Sequence, residues 1–296
     1  MPRSLYPLMA SYRLIRRALG GRVPDAWVNP MLDRLWREVG RNSLPTAESL
    51  DAPSPRRPLS TTDRFYISSV KELGIELYEE LHREAEILAH KVESEPLPER
   101  QRRGKHYKID LNGDMYANPP ESIFTRYSLQ PALLAIAKDY LGMTPRLHST
   151  ELHLDVPFEG ESASAQNWHY DGLDHRLVKV FTYLRDVTPE SGCLCVAENV
   201  PSTRERFRII RDPRYHKRND DRNSLVAERI PSHQIHPVRG PAGTVIVADT
   251  ASLIHRGIKQ ISKARLMFVA TYTSPLPYEE WPLSPFARLS PTSSRP

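Results

Sequence analysis

The sequence has little cysteine, with only Cys193 and Cys195 among 296 residues. Two positions apart on a strand, their Cα atoms stand about 6.5–7 Å apart, poor geometry for a disulfide. A disulfide-stapled secreted scaffold is therefore excluded, and a reducing compartment, the cytoplasm, is expected. Long hydrophobic runs are also missing: no stretch approaches the roughly 18–20 apolar residues of a membrane span. The N-terminal MPRSLYPLMASYRLIRRALG has neither a continuous apolar core nor a small-residue cleavage site, so no leader is expected. Glycine is sparse, 13 against 27 prolines, and there is no internal repeat. A large excess of one charge is absent too. Lys and Arg number 41 against 36 Asp and Glu, a net charge of +5 that permits acidic partners without demanding them.

What is present is enough apolar material, 39% of residues, to build a sizeable core, which excludes overall disorder. Asn29, Pro30 and Met31 open a helix whose apolar face is Leu32, Leu35, Trp36 and Val39. Pro45, Pro53, Pro55 and Pro58 then mark a linker between Ser43 and Ser60. Helical spacing of Val70, Leu73, Leu77, Leu81 and Leu88 predicts a long helix over 62–93, and Gln130–Pro131 opens another that Gly142 closes. From Leu147 the texture changes. LHSTELHLDV, RLVKVFTYLRDV, GCLCVAE, HQIHPV, GTVIVAD and ARLMFVATYT alternate or run apolar over strand length between Gly and Pro. The expected class is mainly β with flanking helices, an antiparallel sandwich or jelly roll. Residues 1–62 form an N-terminal helical segment and linker, 63–275 the main domain, and 276–296 a Pro- and Ser-rich tail.

The most informative segment is Gln166-Asn167-Trp168-His169-Tyr170-Asp171. On an extended chain, positions i and i+2 project to one face, so His169 and Asp171 can offer an imidazole and a carboxylate to one ion. A third ligand is available in His255, which follows the strand-like GTVIVAD. Two His and one carboxylate on one face are the ligand set of non-haem Fe(II) oxygenases. Zinc hydrolases usually carry a helical His-Glu-x-x-His, which this sequence lacks. Arg265 lies ten residues past His255, beside Leu266, Met267, Phe268 and Val269. A guanidinium aimed into an apolar barrel needs an anion, and a bidentate carboxylate suits it.

His169-x-Asp171, the Gly192-Cys193-Leu194 turn, His255 and Arg265 together resemble the phytanoyl-CoA dioxygenase family of Fe(II)- and 2-oxoglutarate-dependent oxygenases, over about residues 105–275. The resemblance implies a double-stranded β-helix, that is a distorted, cupin-like jelly roll, with iron at its open end. It implies that His169, Asp171 and His255 ligate iron and that Arg265 binds the distal carboxylate of 2-oxoglutarate, with Phe181 as a further cosubstrate contact. The position two after the distal His, often a small hydroxyl residue in that family, is Gly257 here. Asp171 argues against halogenation, in which a small residue vacates that place. The implied activity consumes O2 and decarboxylates 2-oxoglutarate to succinate while hydroxylating an unactivated C–H bond of a small molecule. Desaturation, cyclisation or epimerisation are alternative outcomes.

Other residues carry weaker signals. His153 shares a strand face with Glu151 and Asp155; it reads first as an outer sheet face in water, and His153 touches substrate or cosubstrate if that face is the cavity. Trp168 and Tyr170 read first as core or rim packing and second as candidate substrate contacts. Residues 204–222 hold eight Arg or Lys against four Asp or Glu, the pattern of a solvated face or of a lid steering an anionic or carrier-linked substrate. Two rivals stand beside the oxygenase reading: a catalytically silent metal-binding jelly roll, and a basic nucleic-acid-associated demethylase. No nucleic-acid-binding motif supports the latter.

Overall fold

A computed structural model describes residues 34, 37 and 38 and most of 59–277. The expected linker and tail lie almost wholly outside these residues; of the first expected helix, Arg34, Arg37 and Glu38 are described and are helical. In chain order the elements begin with β1 (Phe65–Ser69), α1 (Tyr78–Ser94), β2 (Lys108–Asp110), α2 (Ile123–Ser128) and α3 (Pro131–Leu141). There follow β3 (Arg146–Asp155), β4 (Val178–Tyr183), β5 (Leu194–Ala197) and α4 (Asp220–Arg229). The last strands are β6 (Ile235–Val238), β7 (Thr244–Ala248), β8 (His255–Gly257) and β9 (Arg265–Thr273). None of the described helices is long and apolar enough to cross a membrane.

The strands form two antiparallel sheets, a six-stranded one in the order β1-β7-β4-β9-β3-β2 and a three-stranded one in the order β6-β5-β8. Their two-residue alternation decides which side chains go where. On one face of the large sheet Leu152, Leu154, Val178, Val180, Val245, Val247, Leu266, Phe268 and Tyr272 pack under α1, α2 and α3. Phe268 meets Tyr127 edge-on at 5.4 Å and stacks on Phe124 at 6.0 Å. On the other face Phe181, Tyr183, Ile246, Met267 and Val269 meet Leu194 and Val196 of the small sheet. Nearly every large-sheet strand is thus covered on both sides, which is why β7 and β9 read as continuous apolar runs. The jelly roll read from the strand pattern is the fold observed.

Two expectations change. The helix expected over 62–93 is a strand, a turn and then a helix. Phe65–Ser69 pairs with β7, Gly74 turns the chain at φ 63°, and α1 starts only at Tyr78. The aromatic and β-branched FYISS finds a sheet edge to complete, and that long-range pairing overrides helical spacing. By contrast α3 starts with Pro131 in its first turn and ends at left-handed Gly142, as expected. The basic 204–222 segment is also more than a solvated lid. Ile209 with Leu225, Val226 and Ile230 of the α4 region packs on Trp168, Cys195 and Ile254 at the outside of the small sheet.

Candidate metal centre and cavity

Beyond the one-turn 3-10 helix Ser164–Gln166, the chain runs as a partial extra strand beside β8. His169 donates its backbone N–H to the carbonyl of His255 at 2.9 Å and accepts from His255 at 3.0 Å, and Asp171 donates to the carbonyl of Thr250 at 2.9 Å. A cross-strand pair that exchanges both hydrogen bonds has its side chains side by side. The imidazole centroids accordingly lie 4.3 Å apart. Asp171, two residues on, projects to the same side. One ligand atom from each of His169, Asp171 and His255 lies within 4.8 Å of the other two. Nε2 of His169 is 3.8 Å from Oδ1 of Asp171, and Nε2 of His255 is 3.7 Å from its Oδ2.

Both imidazoles are anchored alike. Nδ1 of His169 faces the carbonyl of Asn167 at 2.8 Å, and Nδ1 of His255 faces that of Leu253 at 3.0 Å. A carbonyl only accepts, so each Nδ1 carries the hydrogen and each Nε2 presents a lone pair to the shared space. Burial pushes His255 down to about 3 and lowers His169 as well, so both rings are neutral near pH 7. Burial opposes ionisation of Asp171, but Lys179, with His255 and His169, outweighs it and holds the carboxyl well below its usual range. Oδ2 of Asp171 accepts from Thr250 Oγ1 at 2.5 Å and pairs with Lys179 Nζ at 2.8 Å. Two neutral imidazoles and one ionised carboxylate are the protonation states that metal ligation requires.

The three side chains open into a cavity of about 770 Å³ between the sheets. The face carrying Glu151, His153 and Asp155 forms one wall, not an outer surface, because β3 turns its apolar Leu152 and Leu154 to the helices. Lys108 pairs there with Glu151 at 2.7 Å and with Asp110 at 3.2 Å. Tyr215, His216 and Arg222 from the basic segment also line the cavity. Within that segment Arg214 pairs with Asp212 and with Glu228 of α4, and Lys217 pairs with Asp221.

Of the other residues singled out in the sequence, Phe181, His153, Tyr170 and Arg265 line this cavity. Trp168 is a correction. It is 1% exposed, lies in the apolar cluster behind the small sheet under the Arg256 guanidinium, and is not among the lining residues. Alternation along the partial strand sends it away from His169 and Asp171.

Arg265 stands on β9 opposite Asp155 of β3. Its Nε and Nη2 both donate to Asp155 Oδ2, at 3.1 and 2.6 Å. Nη1 is buried with no hydrogen-bond partner among the described residues, so it remains able to donate to an anion. Sequence reasoning missed Lys179, Thr250 and the pairing of Asp155. Lys179 had a local signal, a lysine between Val178 and Val180 in a strand with no polar face to spare.

No protein-family profile matches this sequence, and no curated protein matches it. In structure the chain is similar to the epimerase SnoN in complex with Fe3+, alpha ketoglutarate and nogalamycin RO, at a TM-score of 0.50 and 17% identity, covering 79% of this chain and 89% of that one. It is also similar to EctD from S. alaskensis with bound Fe, at 0.49 and 19%, covering 78% and 81%. A third similar structure is HygX from Streptomyces hygroscopicus with nickel and 2-oxoglutarate bound, at 0.46 and 20%, covering 71% and 83%. At such identities the likeness establishes a shared fold, and SnoN carries that statement.

Proposed function

We propose that this protein is a non-haem Fe(II)- and 2-oxoglutarate-dependent oxygenase acting on a small organic molecule, with residues 63–275 as the catalytic domain. The observation that carries the reading is the convergence of His169, Asp171 and His255, with both imidazoles neutral and the carboxylate ionised, in the wall of one cavity between the sheets. The donor set fits the metal: two nitrogens and one oxygen on one side leave the remaining positions of an octahedral ion open. Arg265, buried with Nη1 still able to donate, fits the far carboxylate of the cosubstrate. Iron with 2-oxoglutarate and O2 supplies oxidation of one C–H bond, coupled to decarboxylation of the keto acid to succinate.

The chain's own residues do the rest. Asn167 and Leu253 fix the tautomer and aim of the two imidazoles. Thr250 and Lys179 hold Oδ2 of Asp171 and so fix the orientation of the carboxylate that would ligate the ion. Phe181, Met267 and Val269 give the cavity an apolar side that keeps water from the reacting C–H bond, and His153 and Tyr170 offer polar contacts to substrate or cosubstrate. Hydroxylation is the simplest outcome; desaturation, cyclisation and epimerisation use the same site with a different fate for the substrate. An anionic or carrier-linked substrate draws on Arg222 in the cavity lining. Two buried, unbridged cysteines support a reducing, cytoplasmic setting.

A silent metal-binding jelly roll is the second reading, and one observation favours it: Arg265 already has a counter-ion in Asp155. Anaerobic titration of the apoprotein with Fe(II) and then 2-oxoglutarate separates the two. The oxygenase reading expects the weak visible charge-transfer band of a chelated keto acid, lost in His255→Ala and weakened in Arg265→Gln. Iron binding without the band selects the second reading.

A further inference from the structure

Arg265 and Asp155 form a nearly closed pair inside the cavity wall, with side chains 4% and 2% exposed. Asp155 Oδ2 takes both Nε and Nη2 of the guanidinium, and His153 Nε2 lies 3.5 Å from the same oxygen. Two atoms of the pair, Arg265 Nη1 and Asp155 Oδ1, are buried without a hydrogen-bond partner among the described residues. Buried polar atoms are nearly always satisfied, so the orphaned Nη1 donor in a cavity wall points to an acceptor on a ligand, whereas Oδ1, itself an acceptor, is not met by a carboxylate. The space beside the guanidinium is kept open by Gly257: a Cβ there would stand 3.3 Å from Nη2. Gly257 thus leaves room where a larger residue would crowd the arginine.

We propose that Asp155 is a specificity-determining residue for the keto acid: it neutralises Arg265 in advance, so the site reads the far end of the cosubstrate through a hydrogen bond from Nη1 and not through net charge. The proposal rests on the keto-acid reading above. Its physical basis is that a carboxylate arriving at a free buried guanidinium gains a full charge–charge attraction, whereas one arriving at an existing ion pair meets a site of zero net charge. The carboxylate of Asp155 and that of the cosubstrate share one cation. Hydrogen-bond geometry then matters more than ionisation, and a neutral acceptor in place of the distal carboxylate is tolerated. Removing the charge of Asp155 while keeping its acceptor oxygen strengthens the attraction for dicarboxylate keto acids alone.

The test is anaerobic titration of the Fe(II)-loaded protein, following the charge-transfer band and, independently, heat of binding. Three probes are compared: 2-oxoglutarate, its 5-methyl ester, and 2-oxobutanoate, which has no distal polar group. In the wild type the ester is expected to bind within about tenfold of 2-oxoglutarate; a larger penalty overturns the proposal, since it would mean that Arg265 acts as an uncompensated cation. In Asp155→Asn, 2-oxoglutarate is expected to bind about tenfold or more tightly than to the wild type, with the ester and 2-oxobutanoate unchanged. Unchanged or weaker binding of 2-oxoglutarate overturns it, as does equal tightening of all three probes. Should Asp155→Asn fail to fold, the wild-type ratio decides alone. If 2-oxobutanoate and 2-oxoglutarate both fail to bind the iron-loaded wild type, the function proposed above falls, an outcome distinct from any pattern among probes that do bind.

Discussion

At the scale of single residues, two positions show how little freedom the site's supports have. Gly192 sits at φ 64°, and a Cβ there would come within 2.3 Å of the backbone carbonyl oxygen of Ile258. Only glycine both adopts that conformation and lets the turn before β5 lie against the strand connection after β8. Gly192→Ala is expected to cost at least about 2 kcal/mol, read as a lower urea midpoint with unchanged slope. A midpoint within error of the wild type would show that the backbone yields there. Thr250 acts on the proposed metal through Asp171, and Thr250→Val removes one donor from Oδ2. The expected result is about tenfold weaker Fe(II) or Ni(II) binding by calorimetry, with little change in the melting temperature of the metal-free protein.

At the scale of elements, α1 is tied to the end of β4 by one arginine as well as by apolar packing. Arg185 donates through Nε and Nη2 to Glu86 at 2.9 and 2.6 Å, and through Nη1 to Glu93 at 2.7 Å. The hydrogen bonds from Arg185 hold the Glu86 carboxyl below its usual value in spite of partial burial. A carboxyl depressed on folding contributes stability that is fully present above its unfolded pKa, about 4.3, and is lost as pH falls through the lower folded value. Wild-type stability should therefore fall more steeply below about pH 4.5 than that of Glu86→Gln, whose own loss at pH 7 is about 1 kcal/mol. Parallel pH–stability curves for the two proteins would show that the pair contributes nothing specific. The apolar half of the same contact, Leu81, Ala85 and Ala89 against the large sheet, is insensitive to pH.

At the scale of the whole molecule, the proposed metal ligands tie chain segments 84 positions apart, Asp171 and His255, into one site between the two sheets. A ligand that binds only the folded state stabilises all of it by mass action, by about 2.7 kcal/mol at a hundredfold excess over the dissociation constant. Ni(II) at such an excess is expected to raise the melting temperature by several degrees, and EDTA to reverse the shift. In His255→Ala the shift should vanish. An equal shift in that variant would place the ion elsewhere.

The repetitive parts of the architecture were legible in the sequence because they depend on local periodicity. Alternation and turn residues marked most strands, and the Pro131 start and Gly142 stop bounded α3. His169 and Asp171 could be read as sharing a face because strand side chains repeat every two residues. What tertiary structure decided are the contacts between distant segments. FYISS became a strand because β7 offered it an edge, and Trp168 turned to a cluster built partly by residues beyond 200. Glu151, His153 and Asp155 became a cavity wall because helices covered the other face of β3. Arg265 met Asp155, 110 positions away, because β3 and β9 are neighbours in that register. Periodicity is a property of the backbone within a few residues, whereas the partner of a buried charge depends on how two sheets close, and no local pattern encodes that closure.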